Sequence, residues 1–187
     1  IKKSLLVAVS LCIVCSIIVS FAAVSLKPIQ EKNKAEETKR NILAAAGLLE
    51  EGKAIDEQFK AITPKVVDIA TGEFVDMDPV KFDQRKAAKD PNMSIAIQDD
   101  IAKIQRRSKF ASVYLVKSGD KIETVIIPLH GKGLWSTMYA FLALEGDGNT
   151  VKGLSFYEHA ETPGLGGEVD NPIWKSKWIG KKIYNNS

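Results

Sequence analysis

The sequence predicts an α+β protein with an N-terminal transmembrane helix, a helical stalk, and a mainly antiparallel sheet with packed helices. Three observations carry that expectation. Ser4 to Leu26 is a run of 23 residues without a charge, a proline or a glycine. From Gln30 to Leu49, apolar residues recur at helical spacing. Beyond Ser112 the chain is a series of β-branched and aromatic runs, broken by Ser-Gly-Asp and Gly-Asp-Gly-Asn turns. The averages conceal this pattern: 187 residues, 45% hydrophobic, 26% charged and a net charge of +3 describe an ordinary globule. They exclude a disordered, collagen-like or disulfide-rich chain. A charge of +3 with no concentrated basic face also argues against a nucleic-acid partner.

The first element is the span. All 26 Lys and Arg and all 23 Asp and Glu lie outside Ser4–Leu26. At 1.5 Å per residue the run covers roughly 35 Å as a helix, enough for a hydrocarbon core of about 30 Å. A signal peptide would have a shorter apolar region, so an uncleaved anchor in membrane lipid is expected. Lys2 and Lys3 precede the span, and Lys27, Lys32, Lys34, Lys39 and Arg40 follow it, which leaves the side undecided by charge counting. The only two cysteines, Cys12 and Cys15, sit inside it. Two thiols cannot complete a four-ligand metal site, and they read as small hydrophobes.

Pro28 permits a break after the span. Gln30 to Leu49 is then expected as an amphipathic helix, with Ala35, Ile42, Ala46 and Leu49 on its apolar side, followed by a short helix over Ala54 to Ala61. The chain thus divides into residues 1–27 as anchor, 28–62 as stalk, and 63–187 as the sheet-bearing domain. Lys65–Ala70 and Glu73–Asp76 flank a Thr71-Gly72 turn and read as a small hairpin. Phe82 to Asp90 is helix-like, and Ile101 to Ser108 is a basic helix or loop whose Arg106 and Arg107 are candidates for an anion. Ser112–Lys117, Lys121–Leu129, Thr137–Leu144 and Val151–Tyr157 form a sheet of about four strands. Asn171-Pro172 starts a short helix, with Asn as its cap and Pro in its first turn. Trp174 and Trp178 share one face of that helix and read as packing residues.

No standard catalytic set assembles. His130 and His159 lie in no metal-ligand spacing, and there is no P-loop, dinucleotide fingerprint or nucleophile elbow. Two segments could hold a ligand instead. His130-Gly131-Lys132-Gly133-Leu134-Trp135 ends a strand with two glycines before a flat aromatic; read plainly, it is a hairpin loop with a core tryptophan. His159-Ala160-Glu161-Thr162-Pro163-Gly164-Leu165-Gly166-Gly167-Glu168 is a backbone-rich loop between a strand and a helix start, a setting that suits polar edges or a phosphate. Its plain alternative is a flexible connector.

HGKGLWSTMYAFLAL, GDGNTVKGLSFYEHAETPGLGGEVDNPIW and KKIY together resemble the FMN-binding domain of the C subunit of the bacterial sodium-translocating NADH:quinone oxidoreductase, which the G subunit of Rnf electron-transport complexes shares. FDQRKAAKD and AKIQRRSKFASVYLVK after a membrane span are more similar to the quinone-reductase subunit. The resemblance implies a single-pass inner-membrane subunit with its domain in the periplasm. It implies an electron relay within a sodium pump, with electrons passing from an iron–sulfur centre in the membrane subunits to another subunit's covalent flavin. The cofactor implied is one FMN joined through its phosphate to a threonine of a Ser/Asp-Gly-Ala-Ser/Thr-x-Thr motif. That motif does not occur between Ile1 and Ser187, so the attachment threonine is expected beyond this chain's end. Gly133, Leu134, Trp135, Glu161, Thr162, Gly164, Leu165, Gly166 and Gly167 match the family pattern and are expected to line the isoalloxazine and ribityl side. No side chain is expected to be catalytic. An Rnf-type electron-transport subunit is the alternative within the resemblance, and a membrane-anchored accessory module that binds a partner or a non-covalent ligand and does no redox chemistry is the different-class alternative.

Overall fold

The structure is a computed structural model and describes residues 2–185. Ile1, at the head of the expected anchor, and Asn186-Ser187, at the end of the expected domain, lie outside the described residues. The first helix, α1, is Lys2–Ala46, and every residue from 2 to 37 is exposed. By length and composition it is able to cross a membrane. The expected break at Pro28 does not occur, because Pro28 lies inside α1. A proline removes only one backbone donor, and the helical hydrogen bonds on either side of it remain available.

The chain falls into two compact units, residues 1–38 and 39–187. In the second, the last turns of α1 supply Ile42, Leu43, Ala45 and Ala46, which are buried together with Ile55, Ile62, Ile126, Phe141 and Ala143. The stripe therefore differs from the expected Ala35, Ile42, Ala46 and Leu49: Ala35 is exposed and Leu49 half-buried. A short α2, Ile55–Phe59, packs on the same cluster.

The strands are β1 Ile62–Asp68, β2 Phe74–Val75, β3 Ser94–Ala96, β4 Arg106–Ser108, β5 Phe110–Ser118, β6 Lys121–Lys132, β7 Thr137–Glu145 and β8 Val151–Glu158. Six of them form one antiparallel sheet in the order β2-β1-β5-β6-β7-β8. The expected four strands are β5 to β8, and the expected small hairpin, β1–β2, extends them: β1 pairs along its whole length with β5, from Ile62↔Val116 to Asp68↔Phe110. Pro128 is tolerated in β6 because β5 pairs with β6 only as far as Ile126, so the missing N–H faces no partner strand there. α3, Gln84–Lys89, is capped by Asp83, whose side chain accepts from the Arg85 and Lys86 amides.

Ile101 to Ser108 is neither a helix nor a simple loop. Lys103 and Gln105 take positive φ in a turn held by the Asp100 carboxylate, and β4 then pairs with β3. Arg106 is committed there, donating to Ser94 Oγ at 2.9 Å and to the Ser94 carbonyl at 3.1 Å, which removes it as an anion ligand.

A line of aromatic rings crosses the α1 side of the sheet. Tyr114 packs edge-on to Phe59 and to Phe141, Phe141 stacks on Tyr157 at 4.7 Å, and Tyr157 approaches Tyr139. Burial, with Tyr157 close by, pushes the Tyr114 hydroxyl up to about 12. The Arg85 guanidinium caps the line, lying 3.4 Å from the Tyr139 ring centre and pairing with Glu158 at 2.8 Å.

Candidate functional site

β6 and β7 are joined by Gly133-Leu134-Trp135-Ser136, a turn closed by the Gly133 amide donating to the Ser136 carbonyl at 2.7 Å. β8 leads into the second loop, residues 159–171. Two hydrogen bonds tie the loops together. The Ala160 amide donates to Ser136 Oγ at 3.0 Å, and the Trp135 amide donates to Glu161 Oε1 at 3.2 Å.

Glu161 is the centre of the arrangement. Its carboxylate fills the space that a Cβ on Gly133 would need, and a Cβ on Gly166 would lie 2.8 Å from its Oε2. Gly133 is therefore required for room, since a Cβ there would also lie 2.9 Å from the Ser136 carbonyl oxygen, while a side chain at Gly166 would have to displace the Glu161 carboxylate. Gly164 is required for conformation: its φ is +74°, behind Pro163, in a turn closed by the Leu165 amide donating to the Thr162 carbonyl at 3.1 Å. Proline second and glycine third is type II turn chemistry. The Gly167 amide donates to the same carbonyl at 2.9 Å, and a 3-10 helix, Gly166–Asp170, follows.

His159 closes the loop from below. Its Nδ1 accepts from the Glu161 amide at 3.2 Å, and its Nε2 faces Asp170 Oδ2 at 2.8 Å. The short helix α4, Pro172–Ser176, ends the segment, with the Asn171 side chain accepting from the Ile173 amide at 2.9 Å. That cap occupies one first-turn amide of the helix start that the sequence offered to a phosphate. Trp174 packs against Phe156 of β8 and against Trp178, at 6.2 and 5.7 Å between ring centres, in keeping with a packing role.

Leu134, Trp135 and Leu165 are 79%, 67% and 73% exposed, large apolar side chains offered to solvent from two loops held together at Glu161. This suits a planar, largely apolar ring with polar edges. Between residues 159 and 171 the ionisable groups besides His159 are Glu161, Glu168 and Asp170, which suits a ring edge and not a phosphate. The residues therefore fit the ring portion of FMN, and Thr162, also exposed, adds a hydroxyl beside it.

All nine residues expected from the sequence lie on these two loops. Two participants escaped sequence reading. Ser136 follows the G-L-W segment, and Asp170 lies eleven residues from its partner His159; both stand in the stretches that carry the family resemblance, but neither is singled out there as a ligand. His130 is not at the loops' contact. It stacks on Tyr139 at 5.7 Å, and burial together with the charge of Arg85 lowers its pKa. Cys12 and Cys15 are free and exposed on α1.

The FMN-binding domain family matches residues 133–187. The C subunit of the Na(+)-translocating NADH-quinone reductase of Vibrio vulnificus strain YJ016 is 52% identical over 190 residues, covering 100% of this chain and 74% of the relative. The Pseudomonas aeruginosa PAO1 protein of the same name is 52% identical, covering 98% of this chain and 73% of the relative. The crystal structure of Shewanella oneidensis NqrC superposes with a TM-score of 0.76 at 38% identity, covering 83% of this chain and 73% of that one. The crystal structure of the Parabacteroides distasonis protein of this name, at 24% identity and a TM-score of 0.67, shares the fold, covering 85% of this chain and 71% of that one.

Proposed function

The chain belongs to the family of C subunits of the Na(+)-translocating NADH-quinone reductase, and we propose that the platform built on Glu161 is where this member seats its FMN. The chain is an electron-relay subunit of a sodium-translocating NADH:quinone oxidoreductase. Bound FMN supplies the electron-carrying chemistry. The chain's own residues bind and tune. Leu134, Trp135 and Leu165 offer apolar surface to the ring, while Gly133, Gly164, Gly166 and Gly167 let the backbone come close. Thr162 and the Glu161 carboxylate face polar ring edges. These residues hold the ring portion of the cofactor. The observation that carries this reading is one carboxylate enclosed by Gly133 and Gly166, with exposed apolar side chains on both loops it joins.

The same reading places residues 1–27 in a bacterial inner membrane as a single anchor, residues 28–62 as a stalk, and the sheet-bearing domain in the periplasm. Its partners are the other membrane subunits of the complex, including one that bears an iron–sulfur centre and one that carries a second covalent flavin. Membership of the family and the apolar run of α1 support this.

A carboxylate beside the ring opposes added negative charge. Glu161→Gln therefore raises the flavin midpoint potential by tens of mV, about 60 mV for each 1.4 kcal/mol of one-electron bias. Thr162→Ala lowers flavin occupancy. Redox titration and flavin absorbance of the full-length protein check both. Parental potential and occupancy in both variants would return the loop to a connector.

A further inference from the structure

We propose that His159 is a positioning residue for this loop. In its Nε2–H tautomer it ties Glu161, at the loop's start, to Asp170, at its end, and so fixes the carboxylate on which both loops hang. The inference rests on the assignment of the loop to the flavin and adds a residue to it.

The hydrogen bonds decide the tautomer. The Glu161 amide donates to His159 Nδ1 at 3.2 Å, so that nitrogen carries no proton. The single ring proton of the neutral side chain is then on Nε2, where it is donated to Asp170 Oδ2 at 2.8 Å. The ring is held from both edges, and the His159 side chain is 15% exposed. Glu161 is held twice in turn: by its amide through His159, and by its carboxylate through the Trp135 amide and the space beside Gly133 and Gly166. The two restraints act on one residue, so loss of the first loosens the second. Asp170 closes the 3-10 helix, which makes the imidazole a strut across the base of residues 161–170. His159 touches the loop and not the reacting ring, so it acts through Glu161.

Two histidines in the chain make the test direct. The full chain, solubilised in detergent and 15N-labelled on histidine, is expected to show one ring protonated at Nε2 and bare at Nδ1, and that signal disappears in His159→Asn. Amide exchange at Glu161 and Trp135 is expected to accelerate roughly tenfold in His159→Ala, as loss of one hydrogen bond implies. Asparagine places an acceptor where Nδ1 stood, so His159→Asn restores slow exchange, whereas His159→Gln, which reaches only toward Asp170, does not. In the flavin-loaded chain the midpoint potential shifts in His159→Ala and returns in His159→Asn. A proton on Nδ1, parental exchange in His159→Ala, or rescue by glutamine in place of asparagine overturns the inference. Should His159→Ala not fold, the asparagine and glutamine pair and the tautomer measurement decide it alone. The two readings fail separately. A potential that responds to Glu161→Gln, with exchange that ignores His159, removes His159 and keeps the flavin loop. Exchange that responds to His159, with a potential unmoved in every variant, keeps the strut and removes the flavin.

Discussion

At the scale of single residues, the structure repeatedly uses a side-chain oxygen to hold backbone donors. Glu161 holds the Trp135 amide, Asp83 caps α3, and Asp147 closes the β7–β8 turn. The Asp147 carboxylate accepts from the Thr150 hydroxyl at 2.6 Å and from the Thr150 and Asn149 amides, and these bonds hold its pKa down to about 2 from 3.8. A depressed carboxylate pKa gives stability that is fully present above the unfolded value and is lost as pH falls through the folded value. Asp147→Ala is therefore expected to melt below the parent at neutral pH, with the gap narrowing as pH falls from about 4 to about 2. Thermal melts followed by circular dichroism across that range check it, and a pH-independent gap would deny the charged form its role. Residues of this kind are legible when donor and acceptor are close in sequence, as Asn171 before Pro172 was. Arg85 and Glu158, 73 residues apart, gave no such signal, and neither did His159 with Asp170.

At the scale of elements, hydrophobic periodicity marked where helices and strands lie but not how closely they approach. Gly153 in β8 faces the last turn of α1, and a Cβ there would collide with the Ala45 carbonyl oxygen. Ser155, two residues on and on the same side, donates to Asn41 Oδ1 at 3.2 Å. Glycine in a strand thus marks a close backbone approach, and VKGLSFY gave no warning of what would press on it. Gly153→Ala is expected to cost about 1–3 kcal/mol by overpacking. Denaturant unfolding measures this, and a parental midpoint would mean that α1 yields without strain. The stretch 101–108 was misread for a related reason: paired arginines suggest solvent or an anion, while the short β3–β4 ladder that engages Arg106 depends on Ser94, twelve residues earlier. Pro28 shows the opposite case, a strong local breaker overridden by the apolar and helix-forming residues on both sides of it.

At the scale of the whole molecule, the ordinary composition was an average of two unlike parts, an uncharged run and a polar remainder that holds nearly every charge. Removal of residues 2–27 is accordingly expected to move the protein from the carbonate-resistant membrane fraction to the soluble fraction with its β-sheet circular dichroism intact. Retention in the membrane would assign the anchoring to another part of the chain. Fold class, central hairpins and both site loops were legible because turn glycines and alternating runs are local signals. The β1–β2 hairpin around Thr71-Gly72 was legible for the same reason, but its docking onto the sheet was not, since β1 finds β5 across more than forty residues of intervening chain. The sheet's margins carry a further consequence. β2 is only two residues long, and at the other margin the chain returns beside the start of β8: the Val151 amide donates to the Lys181 carbonyl at 2.8 Å, and the Gly180 amide to the Val151 carbonyl at 2.8 Å. An unpaired margin would invite a strand from a neighbouring copy and, with it, fibrillar association. Here the stretch of β1 that β2 leaves uncovered carries Pro64, which has no N–H to offer, and the exposed Lys65, while the other margin begins already paired, so both margins are guarded against strand addition from a second copy.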